Sequence, residues 1–214
     1  DEADTSEMLR DVGARSLEDF IAKVVPEKIR SGRPLELKKP MAERTAFLDE
    51  AAAQGTGFIL DTATWRASAG WGQVMGLTPE TIDRANRYAV ALVQDLRAMR
   101  SSAQPILVNG VIGPHGDAYA PEQVLSAQAA QDYHTRQVEV LAQSGVDMIS
   151  AVTISSLGEA IGIAKAAMAV DRPVTLSFTV ETDGRLISGM TLADAISRTD
   201  DETGGAPLWY GINC

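Results

Sequence analysis

Short apolar runs alternate with helical patterns from residue 41 onward, and this alternation narrows the fold more than any other feature. Phe58-Ile59-Leu60, Pro105-Ile106-Leu107-Val108 (ending at Asn109), Asp147 to Val152, Pro173 to Val180 and Pro207 to Cys214 read as five strands. Helical patterns occupy Met41 to Gln54, Pro79 to Arg100, Ser126 to Ser144, Ser156 to about Val170, and Thr191 to Arg198. The helix over 79–100 rests on Ile82, Ala85, Ala89, Leu92, Val93, Leu96 and Met99 at three-four spacing. Gly55 and Gly145 stop two of the helices, and Ser156-Leu157-Gly158-Glu159 is a capping box that opens another. The strands read as apolar on both faces, as parallel strands covered on both sides do. Strict strand-then-helix order makes an α/β protein. At 214 residues and 45% apolar content, one domain with a sizeable core is within reach.

Residues 1–45 stand apart as a helical N-terminal extension and linker, leaving 46–214 as the (β/α) domain. Ser6 to Val12 and Ser16 to Val25 read as two short helices with Gly13 between them, and Ser16 lies three residues before Asp19 as a capping pair. Ile29 to Pro40, with Gly32, Pro34 and Pro40, reads as a linker.

Charge and composition remove several classes of function. A net charge of −10 disfavours nucleic acid and anionic membranes as partners. No apolar run approaches the roughly 20 residues of a membrane span. The start, Asp1-Glu2-Ala3-Asp4, lacks the apolar core of a secretory signal. The one cysteine permits no internal disulfide and suits a reducing cytoplasm. Neither G-x-G-x-x-G nor a P-loop motif is present. The expectation is a cytoplasmic protein.

In parallel α/β units the chemistry gathers at the carboxyl ends of the strands. Those ends carry Asp61, Thr62, Thr64, Asn109, Thr153, Thr179, Glu181, Asn213 and Cys214. Turn and cap chemistry accounts for part of this set. No lysine follows any of the strands, which argues against an aldolase or lyase with Schiff-base chemistry.

As a set, these exits resemble the homocysteine S-methyltransferase family. The resemblance lies in Asp61-Thr62-Ala63-Thr64-Trp65-Arg66-Ala67-Ser68, Asn109 to Asp117, Ser177-Phe178-Thr179-Val180-Glu181 and Gly211-Ile212-Asn213-Cys214, in the family's order, over residues 45–214. It implies a (β/α)8 TIM-type barrel that is incomplete in this sequence, with strands two to six present and strands one, seven and eight not found. It also implies zinc held by three cysteines. Cys214 matches one of them; the other two, a Cys-Cys pair, are absent from this sequence. The implied reaction moves a methyl group from a sulfonium or ammonium donor, of S-methylmethionine or betaine type, to the zinc-bound thiolate of homocysteine, giving methionine. Zinc would supply the thiolate, because a free thiol with a pKa of about 8.5 is largely protonated at neutral pH.

By the same resemblance Thr62, Thr64, Asn109 and Glu181 are candidate substrate-binding residues and Cys214 the candidate metal ligand. Relatives that use a glutamate at the end of the fourth family strand have Val152 as its counterpart here, with Thr153 or Glu181 as replacements. His115 is explained by its Gly-Pro-His-Gly-Asp turn, and His134 reads as a surface or partly packed helix residue. Residues 1–45 show a short resemblance to the N-terminal segment of the glycine decarboxylase P-protein, in Glu7-Met8-Leu9, Ser16-Leu17 and Val25-Pro26, without a catalytic motif. The expected partners are homocysteine and the methyl donor, and homo-oligomerisation is left open. The competing reading is a non-catalytic binding or assembly module built on a partial barrel, with its open sheet edges covered by another chain.

Overall fold

Five parallel strands pair in chain order. The computed structural model describes residues 9–10, 13–16, 19–20, 42–100, 104–118 and 124–213. The chain divides into two compact units, residues 1–44 and 45–214. In the first, the N–H of Ala14 donates to the Leu9 carbonyl at 2.8 Å, and Gly13 takes the left-handed backbone that ends a helix. Ser16 Oγ accepts from the N–H of Asp19 at 3.1 Å, as the capping pair requires. The remainder of the helix over 16–25 and the linker over 29–40 lie outside the described residues.

The elements in order are α1 (Ala42–Ala53), β1 (Phe58–Asp61), α2 (Ala69–Val74), α3 (Pro79–Ala98), β2 (Ile106–Ile112), α4 (Ala127–Gln143), β3 (Met148–Ile154), α5 (Leu157–Ala169), β4 (Val174–Thr179), α6 (Leu192–Thr203) and β5 (Pro207–Asn213). The sheet runs β1-β2-β3-β4-β5, every neighbouring pair parallel. The strand order never reverses, so the sheet has no switch point of the doubly wound kind. Sequential parallel order is how consecutive strands of a (β/α) barrel are arranged. No helix among the described residues is long and apolar enough to cross a membrane.

Helix starts follow the sequence closely. Thr78, Ser126, Ser156 and Thr191 each accept, through the side-chain oxygen, the N–H three residues on. The end of α6 does not: it runs five residues past Arg198. Its buried Thr199 and Thr203 satisfy their hydroxyls inside the helix by donating to the carbonyls four residues back, Ala195 and Thr199, each at 2.7 Å. Helix α2 has no counterpart in the sequence reading. Strand β2 also continues beyond Asn109 through Gly110-Val111-Ile112, so Asn109 lies inside the strand and not at its exit. Gly110 is a packing residue: a Cβ there would press on Leu141 of α4 and Ile149 of β3.

The two faces of the sheet differ, contrary to the apolar-on-both-faces reading. The face toward the helices carries Leu60, Val108, Ile112, Ile149, Ala151, Val174, Leu176 and Phe178, all in one buried cluster with residues of the helices. Alternation places Asp61, Asn109, Ser150, Thr175, Ser177 and Asn213 on the opposite face. Side-chain pairs bear this out: Asn109 Nδ2 donates to Asp61 Oδ1 at 2.7 Å, and the hydroxyls of Ser150 and Thr175 lie 2.7 Å apart. On the helix side, Tyr210 stacks on Phe178 at 6.1 Å and donates its hydroxyl to Asp200 at 2.6 Å. Burial first, and this bond second, push its phenol well above the usual range.

Candidate functional site

Residues after β1 fold over the carboxyl ends of the strands and are fixed there by buried polar side chains. Thr64 Oγ1 donates to the Val111 carbonyl at 2.6 Å. That bond uses its single proton, so the Thr62 hydroxyl donates to Thr64 Oγ1 across 2.7 Å while accepting the N–H of Val111 at 3.1 Å. Both threonines are buried. Their hydroxyls tie the exit of β1 to β2 and have no proton to spare. Helices α3 and α4 hold the next stretch. Asn86 Nδ2 donates to the Ala67 carbonyl, Gln137 Nε2 to the Thr64 carbonyl, and the Tyr133 hydroxyl meets Ser68 Oγ and the N–H of Gly70. The sequence reading missed Asn86, Gln137 and Tyr133, because polar residues on a helix read as solvent-facing until a loop is seen to need them.

Trp65 crosses the end of β2. Its indole N–H donates to the Val152 carbonyl of β3 at 3.3 Å. A Cβ on Gly113 would lie 2.6 Å from Trp65 Nε1, so only glycine leaves room for the ring. Arg66 lies over both Trp65 and Trp71, 4.9 and 4.3 Å from their ring centres.

The exit of β3 is irregular. Ala151 pairs with Leu176 and Ile154 with Phe178, so three steps on β3 match two on β4 and one residue is extra. Thr153 has φ +66°, a left-handed conformation that costs a β-branched residue on the order of 1–3 kcal/mol. Its N–H donates to Asn213 Oδ1 of β5 at 2.9 Å, reaching past the intervening strand. Beyond the bulge, Ser155, Ser156, Leu157 and Gly158 line a groove whose other walls are Val124 and, from the loop after β4, Ile187, Ser188 and Met190.

Of the predicted site residues, Asn109 is buried with its amide nitrogen on Asp61, and its Oδ1 has no partner among the described residues. Thr179, at the end of β4, presents a second buried oxygen in the same condition. Glu181 is exposed, in a tight loop closed by its N–H on the Arg185 carbonyl and by its carbonyl, which accepts from Gly184. Cys214 lies outside the described residues. Among the described residues no group of three or more His, Cys, Asp or Glu is placed to hold a metal ion. Cys214 is the only cysteine, so a three-thiolate zinc site does not assemble from these 214 residues.

His134 corrects the sequence reading. It is fully buried, not at the surface, and its Nε2 lies 2.9 Å from Glu159 Oε1. The N–H of His115 donates to the same oxygen at 2.5 Å. Glu159 keeps its backbone half of the capping box, N–H to Ser156 Oγ at 3.3 Å, while its carboxylate joins α5 to α4 and to the loop after β2. Tyr133 packs its ring edge-on between His115 and His134.

A family model described as homocysteine S-methyltransferase matches residues 17–214. The chain belongs to the homocysteine S-methyltransferase family. The match begins at residue 17, so it takes in much of the segment that the sequence reading set outside the domain. Homocysteine S-methyltransferase of Escherichia coli (strain K12) is 29% identical over 126 residues, 55% of this chain and 39% of that protein. Selenocysteine methyltransferase of Astragalus bisulcatus is 23% identical over 186 residues, 73% of this chain and 54% of that one. The chain thus spans about half the length, or less, of these curated relatives. Among solved structures it resembles the homocysteine methyltransferase MmuM from Escherichia coli. The metallated form matches with TM-score 0.66 at 24% identity over 86% of this chain and 69% of that one. The oxidized form matches with TM-score 0.64 at 24% identity over 73% and 56%. At this identity the likeness concerns the α/β fold.

Proposed function

We propose that the protein containing this chain transfers a methyl group from a sulfonium or ammonium donor to the sulfur of homocysteine, giving methionine, within a closed (β/α)8 barrel in the cytoplasm. The family match over residues 17–214 carries this reading. The selenocysteine methyltransferase relative is in keeping with a soft thiolate or selenolate nucleophile. In this reading Asn109 Oδ1 and Thr179 Oγ1, both buried and unpartnered among the described residues, accept hydrogen bonds from the substrate's ammonium group. Thr62 and Thr64 hold the mouth in shape, since their hydroxyls are already committed. Glu181, in its exposed loop, is the anion available to the donor's positive charge.

The described residues do not make a zinc site. Zinc is therefore proposed only as a shared site, with Cys214 as one ligand and the others from outside these 214 residues. Bound there, zinc would keep the substrate sulfur deprotonated at neutral pH. The test uses the purified full-length protein with homocysteine and either S-methylmethionine or a betaine. Methionine formation, stoichiometric zinc, and loss of both in Cys214→Ser are expected. No methionine from either donor would sink the reading.

A further inference from the structure

We propose that Trp65 and Asn213 are positioning residues: together they clamp the Val152–Thr153 peptide so that the left-handed bulge of β3 forms one wall of the substrate amino-acid site. This rests on the methyl-transfer reading above and names residues it leaves unassigned.

One peptide unit is held at both ends by segments distant from it in the chain. Its carbonyl, on Val152, accepts from the indole N–H of Trp65, 87 residues earlier. Its N–H, on Thr153, donates to Asn213 Oδ1, 60 residues later. The bulge explains why both bonds are needed. The extra residue between Ala151 and Ile154 breaks the regular pairing of β3 with β4 at this peptide. A threonine with φ +66° does not hold that conformation by itself; surrounding contacts must impose it.

The clamped peptide lies where a ligand would feel it. Val152 and Thr153 are only half-buried, and the chain passes from them directly into Ser155 and Ser156 of the groove wall. Two features fix Trp65 in its place over β3. Gly113 is cut back to admit its ring, and the carbonyls of Thr64 and Ala67, on either side of it, are held by Gln137 and Asn86. Asn213, within Gly211-Ile212-Asn213-Cys214, therefore serves β3 and does not contact substrate.

The test uses the full-length protein and two readouts: amide hydrogen exchange of the segment 148–156, and the kinetics of methionine formation. Asn213→Ala should speed exchange at Thr153 at least tenfold and raise KM for homocysteine roughly tenfold, with kcat changed less than about threefold. Asn213→Asp, which keeps an acceptor oxygen, should retain protection. Adding Thr153→Gly to Asn213→Ala should recover most of the lost KM, since glycine holds the left-handed backbone without a clamp. A merely structural loss would not be recovered by a glycine. If Asn213→Ala does not fold, Trp65→Phe removes the other bond while keeping an aromatic ring, and should shift exchange and KM in the same direction. Unchanged exchange in both Asn213→Ala and Trp65→Phe overturns the clamp. A raised KM with unchanged exchange overturns it too, because Asn213 would then touch substrate directly. Were the wild type to form no methionine, the methyl-transfer reading would fall, and exchange alone would still decide whether the clamp exists.

Discussion

At Glu159 a single carboxylate oxygen serves two donors from different parts of the chain, the His134 ring and the His115 N–H. Nothing replaces it if it is removed. Glu159→Ala leaves the buried His134 ring and the half-buried His115 N–H without their acceptor, at about 1–3 kcal/mol for a buried donor and less for one that water can reach. The variant should lose roughly 3 kcal/mol of unfolding free energy in urea, on the same per-donor cost. Glu159→Gln, which keeps one carbonyl oxygen, should lose about half as much. A loss under about 1 kcal/mol for the alanine variant, the lower end for a single lost bond, would mean that water reaches the pair. No local pattern warns of this triad. Glu159 is visible as the fourth residue of a capping box, and that role is real, but it uses only the backbone N–H. His134 is flanked by Tyr133, Thr135 and Arg136, a polar run that reads as solvent-facing. Its burial depends on α5 lying against α4, which neighbouring residues in the chain do not encode.

The close approach of those two helices is set by small residues. In α5, a Cβ on Gly162 would lie 2.5 Å from the Gln131 nitrogen and 2.6 Å from both the Ala127 oxygen and the Ala130 Cβ. Most of these are backbone atoms of α4, which cannot rotate away. In an exposed helix Gly→Ala gains about 1 kcal/mol of propensity. Here overpacking of about 1–3 kcal/mol opposes it and should win. Gly162→Ala should therefore lower Tm by a few degrees, at roughly 2–4 °C per kcal/mol for a domain of this size. A rise in Tm, measured by calorimetry, would show that the helices can part at no cost. At this scale the sequence is most legible. Strand and helix existence follows from apolar runs and three-four spacing, and the cap of α5 from the box Ser156 to Glu159. The errors fall where tertiary contacts override local signals. Asn109 reads as the end of its strand yet β2 continues through Gly110 to Ile112, α6 runs past Arg198 with Thr199 and Thr203 buried, and the Thr153 bulge has no signature at all. The exit residues Thr62 and Thr64 stand out in the sequence, but their role as a brace follows only from Val111 lying opposite.

Across the whole sheet the helices cover one face unevenly. The helix-side residues of β1 to β4 are buried, Leu60 and Val108 to Phe178 among them. On β5 this cover thins: Leu208 is 59% exposed and Ile212, beside Phe178, 64%, while Pro207 is buried and Tyr210 is sheltered by Phe178 and Asp200. The opposite face adds Ile59, Leu107 and Trp209, each about two-fifths to one-half exposed. An apolar strand at a sheet edge, with unpaired N–H and C=O groups alongside, is a template for pairing with another chain. The 214-residue chain on its own should therefore self-associate. Sedimentation should show a weight-average mass above that of the monomer that rises with concentration. Leu208→Lys with Ile212→Lys should return it toward monomer without loss of helical circular dichroism, because neither side chain belongs to the buried cluster. A wild-type chain that stays monomeric across concentrations on the order of 1–100 µM, where exposed hydrophobic edges associate, would mean that the edge is self-protecting. It would also weaken the case that this face of β5 is made to be covered, whether by further strands of a closed barrel or by a second chain.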